Sequence, residues 1–590
     1  MKRLLLYVHY NKYAEVSEHV LYQLKKMAPL FSHILVISNS FLSKKDEAVL
    51  ACVADEVIQR KNKGYDFGAW RDAMHYFGFE NLKDYDSITL MNDTCFGPLY
   101  DMQIFYEDYE AREVDLWGIT NHRTYREHSR DHYFPEHIQS YYKVFSNKVI
   151  KSAVFENFWR NIQDFDNVQD VIDHYEIKST SIFTESGFQY ETVLDTRFLD
   201  ASRLLHPDFS YFAPEVILNK KVPFIKVKTF QSPINEGVVK YMLDYIGENS
   251  CYPKEKIIYH LSMMGYPDNN DFLSEKYLIP QQEHVCISQK IAIHLHVFYT
   301  ELFGEFLNIF NTFNFKYDLY ITTDTKIKEI NIKNQLIRSN TRAKVMLTEN
   351  SGRDILPFLS LRNELCNYDI IGHFHTKRST GESFLVGESW RKELISMLLE
   401  PANDIMSQFE LDEKLGIVIA DVPSLFRLNR RIDADNENTM IAPIMNDLWK
   451  RMKMSKTINF HDFKTYTMSY GNYFWAKTEV LTPLFDLELL PQEIPEEPLS
   501  QNTIIQVIER LLVYMAWDQG LDFRISRNSE QLPAFIDART FNQRFRITEE
   551  NAKSLRLRFV LKLVFKKSLR LLKYRTYKLL GRSLSNKDSS

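Results

Sequence analysis

The stretch YDSITLMNDTCFGP, residues 85–98, alternates apolar residues and then breaks into Asn92-Asp93-Thr94 before a Gly-Pro pair. A strand that ends in an amide and a carboxylate can close in a solvent turn. It can also deliver ligands into the crevice outside the carboxyl ends of an open α/β sheet. One carboxylate beside an amide at such an end can seat a divalent cation, Mg²⁺ or Mn²⁺, that holds a diphosphate. Upstream, NKGYDFGAW places Asn62, Gly64 and Asp66 in an Asn-x-Gly-x-Asp loop that follows a strand and opens a helix. The glycine permits a tight turn, and the Asn and Asp can hydrogen-bond a base or ribose; a helix-capping turn is the plain alternative.

The same features recur later in the chain. RLLLYVHYNKY ends a buried-strand pattern at His9, and KIAIHLHVFYTEL, residues 290–302, ends one at His296. Each is followed by a helix-like stretch and a second strand, SHILVISNS in one copy and YDLYITTDT in the other. NSGRDILPFL then supplies Asn350, Arg353 and Asp354; 53 residues separate His9 from Asn62, and 54 separate His296 from Asn350. A Tyr-Asp pair opens the next strand in both copies, with six residues from Asp86 to Asn92 and six from Asp369 to His375. Four features in one order at near-equal spacing predict an internal duplication. The expected fold is α/β, with tandem domains at 1–240 and 288–535, a connector at 241–287 and a tail at 536–590. Strands alternating with helical stretches imply mainly parallel, Rossmann-like sheets.

The copies differ where the chemistry would sit. By the six-residue register, Asn92-Asp93-Thr94 corresponds to His375-Thr376-Lys377. The second copy offers two cations, Lys377 and Arg378, where the first has a carboxylate. Fixed cations can replace a metal beside a leaving diphosphate, so the second domain reads as a metal-independent transferase or as a grip for a diphosphate or sugar acceptor. His373 and His375 can instead be metal ligands at alternate positions on one strand, and buried, hydrogen-bonded histidine is the plain reading of His373.

Composition frames these sites. A chain of 590 residues exceeds one core, and 44% hydrophobic with 26% charged residues is the balance of a folded globular protein. Its 14% aromatic content suits both large cores and pockets that stack sugars or bases. Five scattered cysteines without a CxxC pair point to a reducing compartment and to neither zinc nor a disulfide framework. The N-terminal apolar run is broken by His9 and Tyr10 and reads as a first strand, not a signal peptide. The segment from Lys553 to Arg582 carries eleven Lys or Arg and no acid, so the remainder of a chain of net charge −5 carries −16. That segment reads as an amphipathic basic helix for an anionic membrane surface. Docking on the acidic body and nucleic-acid binding are the rivals, and the acidic body argues against a polyanion partner.

In NKGYDFGAW, YDSITLMNDTCFGP, DLWGIT, HIQSYYKVF, NSGRDILPFL, FHTKRS, GNYFWAKTEVL and QVIERLL the chain resembles the rhamnan synthesis protein F family of bacterial glycosyltransferases. The resemblance covers nearly the whole chain. It implies two tandem GT-A-like domains and a cytoplasmic enzyme, peripheral on the inner membrane face. That enzyme would use dTDP-L-rhamnose to extend a rhamnan on a polyprenyl-diphosphate carrier, beside other polysaccharide-assembly glycosyltransferases. Asn92 and Asp93 then occupy the place of the Asp-x-Asp motif of GT-A enzymes, with Asn where a carboxylate is common. The donor site is expected to include His9, Asn62, Gly64 and Asp66 in the first copy and His296, Asn350, Arg353, Asp354, Lys377 and Arg378 in the second. The implied inversion at the sugar needs a carboxylate base. Asp115 in VDLWGIT is the first candidate, against a turn-capping role. Asp421 in GIVIADVPS and Glu509, beside Arg510, are the candidates of the second domain; Glu509 and Arg510 can equally be an ion pair. His137, Gln139 and Tyr141 are expected to line an acceptor groove, or else to belong to a packed amphipathic helix. One active domain with an inert repeat, and a non-catalytic membrane-docked scaffold, are the competing functions.

Overall fold

A computed structural model describes residues 1–127, 132–202, 204, 206–232, 234–265, 267, 276–279, 285–349, 351–376, 384–424, 434–463, 466–489, 493–494, 503–528 and 568. Residues Met1–Asn528 form one compact unit and Ser529–Ser590 another; the basic tail therefore lies outside the described residues, apart from Ser568.

Two sheets organise the first unit. The first contains β1 (Arg3–His9), β2 (His33–Ser38), β3 (Glu56–Gln59), β4 (Ser87–Asn92), β5 (Leu116–His122), β6 (Tyr142–Ser146) and β7 (Tyr190–Leu194). The second contains β8 (Ile291–His296), β9 (Tyr317–Thr323), β10 (Lys344–Leu347), β11 (Ile370–His375), β12 (Leu415–Ala420), β13 (Phe474–Lys477) and β14 (Asp522–Ser526). The orders are β3-β2-β1-β4-β6-β5-β7 and β10-β9-β8-β11-β13-β12-β14, the same path twice. In each sheet the sixth strand runs antiparallel to both neighbours, while the other pairs on the path are parallel. The short strand His137–Ile138 adds to the first sheet along β5. The expected tandem α/β duplication is therefore the fold.

Sequence explains the central strands. Leu4 to Val8 are all buried, as a continuous apolar run in a parallel sheet covered on both faces must be. In β8 the same position in the sheet carries IAIHLH, so two imidazoles, His294 and His296, enter a layer that is apolar in the first half. The helices Val239–Asn249, which straddles the expected boundary at 240, and Lys254–Met264, within the expected connector, bury Met242, Leu243, Ile246, Ile257 and Leu261 in the first half's core. The halves also touch directly. Tyr13 meets Trp517 edge-on at 5.5 Å, Trp517 Nε1 donates to the Met263 carbonyl at 3.0 Å, and Lys456 Nζ reaches Glu15 at 3.4 Å. An aromatic pair and an ion pair to a buried lysine join the halves through the loop that leaves β1.

Candidate active site

The carboxyl ends of β1 and β4 lie side by side, with Val8 in register with Asn92. The helix Tyr65–Phe77 begins against them because Gly64 (φ 66°) and Tyr65 (φ 49°) are both left-handed, which turns the chain sharply after β3. A Cβ on Gly64 would also lie 2.7 Å from the Asp164 carboxylate, so a side chain there meets both backbone strain and a clash. The turn puts Asp66 in the first helical turn, where its Oδ2 accepts from Asn92 Nδ2 at 2.7 Å. Asn92 Oδ1 in turn accepts from the Thr94 amide (3.2 Å) and hydroxyl (2.6 Å). Asp93 Oδ2 accepts from the Tyr10 amide at 2.8 Å. Asn92 thus braces the turn, and Asp66 and Asp93 flank it as carboxylates.

Both carboxyls are partly open to solvent, and neither has a cationic partner among the described residues. Burial pushes Asp66 up to about 6, against the Asn92 hydrogen bond and with help from Glu176. Burial likewise pushes Asp93 up to about 8, opposed by the Tyr10 amide and reinforced by Asp66. Among the described residues no three His, Cys, Asp or Glu side chains converge to hold a metal. Two carboxylates short of a counter-charge still fit a Mg²⁺-type ion, which uses one or two protein carboxylates and completes its shell with water and phosphate oxygens. His9 ends β1 and is buried, its Nδ1 3.1 Å from Ser38 Oγ, and burial lowers it to about 4, so it is neutral. Asn62 is half-buried in the loop, with its Oδ1 unmatched.

Asp115 requires correction as the base. It precedes β5, and its carbonyl takes the Ser146 amide while Ser146 is in register with Ser87. Asp115 is therefore level with the start of β4, five residues below Asn92, or about 16 Å along the strand. Its carboxylate binds the Gln189 amide (3.0 Å) and Lys148 (2.8 Å), a structural bracket at the wrong end of the sheet. His137, Gln139 and Tyr141 do lie on the site's side, but all three are buried. Gln139 bridges Thr120 (2.5 Å) and Asp208 (3.0 Å), Tyr141 meets Thr120 (2.8 Å), and His137 Nδ1 lies 2.7 Å from the Pro135 carbonyl. Their polar groups join neighbouring elements and do not present a groove wall, which corrects the acceptor-groove expectation.

Two carboxylates were missed. Glu176 ends a π-helical turn, Ile172–Glu176, and accepts from the Ser140 amide at 3.3 Å. Burial raises it, but His137, the Ser140 bond and Lys226 bring it below the usual range, so it is ionised, and its charge helps to raise Asp66. Asp208 caps Phe209–Phe212 and meets Lys226 at 3.4 Å. An Asp-x-Ser cap before an aromatic pair was readable in HPDFSYF; an inserted π turn has no such periodic signal.

The second half repeats this architecture with different chemistry. Gly352 (φ 63°) and Arg353 (φ 53°) reproduce the left-handed pair, and Asp354 stands where Asp66 does. His296 is in register with His375, as Val8 is with Asn92. The counterpart of His296 is therefore Val8 and not His9, and with that shift 54 residues lead to Asn62 and to Asn350 alike. Thr376 Oγ1 accepts from the Phe298 amide at 3.0 Å, the hydrogen bond that Asp93 makes to Tyr10 without its charge. In place of the carboxylate pair lies a buried histidine network. His294 Nδ1 is 2.9 Å from His373 Nδ1, His373 Nε2 is 3.2 Å from Asp354 Oδ2, and His294 and His296 share Thr322 Oγ1 at 2.8 and 2.9 Å. His375 Nε2 instead contacts the Gly471 carbonyl at 2.8 Å. Burial keeps His294 and His296 neutral, while His375 and the His373 hydrogen bond hold Asp354 below the usual carboxylate range against its own burial.

The other second-half candidates are separated. Asp421 ends β12 and lies 3.0 Å from Arg527 Nε, with Tyr277 Oη at 3.4 Å. Glu509 accepts from the Gly471 amide, next to the carbonyl that His375 contacts, and Arg510 donates to the Gln506 carbonyl at 2.8 Å. Asn350, Lys377 and Arg378 lie outside the described residues.

Known proteins bear on this arrangement. Relatives include the uncharacterized protein WxcX of Xanthomonas campestris pv. campestris, 29% identical over 39% of this chain and 31% of that protein. The uncharacterized protein y4gN of Sinorhizobium fredii is 30% identical over 29% of this chain and 43% of its own length. The virulence protein VirA of Vibrio anguillarum is 25% identical over 26% and 47%. The matched stretch spans less than half the length of each of these relatives. Among solved structures, the glycosyltransferase GlyE of Streptococcus pneumoniae aligns at 10% identity over 66% of this chain and 89% of that chain, TM-score 0.23. Glucosyl-3-phosphoglycerate synthase of Mycobacterium tuberculosis, in complex with Mn²⁺ and UDP, aligns at 11% identity over 43% and 80%, also at TM-score 0.23. Residues 34–521, most of the chain, match the family described as rhamnan synthesis protein F, and the chain belongs to that family.

Proposed function

We propose that the chain is a glycosyltransferase that moves L-rhamnose from dTDP-L-rhamnose to a rhamnan on a polyprenyl-diphosphate carrier, with inversion at the sugar. The observation that carries this reading is the Asp66–Asn92–Asp93 constellation at the carboxyl ends of β1 and β4, entered through the left-handed turn at Gly64. Asp66 and Asp93 would hold a divalent cation, Mg²⁺ or Mn²⁺; when bound, it neutralises charge on the departing nucleoside diphosphate. Asn92 orients Asp66 and braces the turn that carries Asp93. Glu176, an ionised carboxylate whose charge is felt at Asp66, takes the proton of the acceptor hydroxyl in place of Asp115.

The second half, with Thr376 for Asp93 and a neutral His296 at the end of β8, works without a metal, either as a second transferase or as the grip on the growing chain. The domain limits at 240, 288 and 535 are carried as part of this reading. Among the described residues no helix is long and apolar enough to cross a membrane. The lipid carrier would therefore be met at the inner membrane face through the basic tail and beside other polysaccharide-assembly enzymes. Turnover assays of the purified chain with a short lipid-linked rhamnose acceptor test the reading. Release of the nucleoside diphosphate with growth of the acceptor is expected with dTDP-L-rhamnose (as dTDP) and not with UDP-glucose (as UDP). Absence of both dTDP release and product would favour a non-catalytic scaffold.

A further inference from the structure

The duplication supplies an internal control for surface chemistry. The helix Lys326–Arg338 joins β9 to the edge strand β10, and the helix Lys44–Ala51 joins β2 to β3 at the same place in the first sheet. Both bury one face on their sheets; Ile332 and Leu336 do so in the second half and Leu50 in the first. Their outer faces differ. Ile327 is 81% exposed, Ile330 53% and Ile337 77%, within about 80° of one another on the helical wheel. Leu347 on β10 is exposed as well. The helix Lys44–Ala51 exposes Lys44, Lys45, Glu47 and Ala48.

Charge diverges in the same place. Residues 326–344 hold six cations (Lys326, Lys328, Lys333, Arg338, Arg342 and Lys344) and one acid, Glu329, a net +5 by sequence, of which Lys328 is paired with Asp324 (2.7 Å) and Lys344 with Glu364 (3.1 Å). The matching stretch 44–56 holds two cations and four acids. Glu329 is shared by Lys326 (2.7 Å) and Lys333 (2.6 Å), which draws those lysines along the helix beside the isoleucines. Arg338 and Arg342 are exposed and have no carboxylate partner among the described residues.

We propose that the exposed face of Lys326–Arg338 is a docking surface for an anionic lipid membrane, in which the helix lies flat at the headgroup boundary. Branched apolar side chains on successive turns, flanked by lysines and followed by arginines, match such a surface in both hydrophobicity and sign of charge. This inference goes beyond the proposed transfer reaction and does not depend on it. It would fix the tilt of the second half above the bilayer, independently of the tail.

The test reads this face alone, in the full chain. The exposed cysteines Cys52, Cys251, Cys286 and Cys366 are replaced by serine, and Ile330→Cys carries an environment-sensitive fluorophore. With vesicles of mixed phosphatidylglycerol and phosphatidylcholine the emission should shift to the blue and be quenched by brominated acyl chains. Pure phosphatidylcholine should give little of either. Without the fluorophore, Ile327→Ser combined with Ile330→Ser and Ile337→Ser should weaken partition onto the anionic vesicles at least about tenfold. Chain that pellets with vesicles while the emission stays unshifted would overturn the proposal, as would unchanged partition of the serine variant or no partition at all. A lipid-free blue shift that grows with protein concentration, with dimers in sedimentation, would assign the face to a second copy instead.

Discussion

Replacing Asp93 with threonine should separate the fold of the first site from its chemistry. The second half already contains this substitution, since Thr376 occupies the equivalent place and its hydroxyl accepts the amide of Phe298 at 3.0 Å. In Asp93→Thr the hydroxyl can accept the Tyr10 amide, now made to the carboxylate at 2.8 Å. Exchanging a charged for a neutral acceptor at one hydrogen bond changes stability by about 1 kcal/mol. That exchange also relieves the repulsion from Asp66, so the melting temperature should move by only a few degrees in either direction. The chemical loss should be much larger. One of the two carboxylates proposed to hold the charge-neutralising ion disappears, and removal of a single stabilising group at developing charge costs about 10²–10³ in kcat, or about 3–4 kcal/mol. Steady-state dTDP release by the variant, beside its thermal melt, checks both halves of the expectation. A variant that folds and turns over at the wild-type rate would refute the reasoning and leave Asp93 as a turn residue. A variant that fails to fold would refute the equivalence with Thr376.

Glu176→Gln should lower kcat about 10²–10⁴-fold with donor KM little changed, whereas Asp115→Asn should leave kcat unchanged and cost at most about 1 kcal/mol through the exposed Lys148 pair; the two variants assayed together distinguish the carboxylates. Acid should destabilise the second half between about pH 6.5 and 4, because burial holds His296 at about 4 while the unfolded imidazole takes up its proton near 6.5. Protons then bind preferentially to the unfolded chain, so stability falls as pH drops through that window, by about 2 kcal/mol at pH 5 for His296 alone; denaturant titrations across pH check the sign. Truncation before Lys553 should move the chain from the membrane fraction towards the soluble one, yet leave turnover of a short water-soluble acceptor intact, as read by fractionation and dTDP release.

The duplication was legible because its signals are local. A loop that needs glycine in a left-handed turn and a strand opened by Tyr-Asp survive in both halves, and both turns keep their positive φ. The alignment slipped by one residue because histidine ends both first strands. Only sheet register separates His9, which follows the Val8–Asn92 pair, from His296, which is the pair's counterpart. Asp115 was misplaced for a related reason. VDLWGIT reveals a strand, but not that its acidic end lies level with Ser87, since strand direction is set by pairings remote in sequence. Glu176 was invisible because a π turn interrupts the helical period that would have marked its face. The histidine network could be seen only as separate residues, since His294 meets His373 across 79 positions.

The central claim is that one half of a duplicated fold holds a metal-assisted diphosphate site and the other has exchanged its second carboxylate for Thr376 beside a histidine network. Counting Mn²⁺ bound per full-length chain at saturating dTDP, by equilibrium dialysis or electron paramagnetic resonance, tests this most directly. The account predicts one ion, lost in Asp93→Thr and retained in Thr376→Val. Two ions per chain, none, or one that survives Asp93→Thr would contradict it.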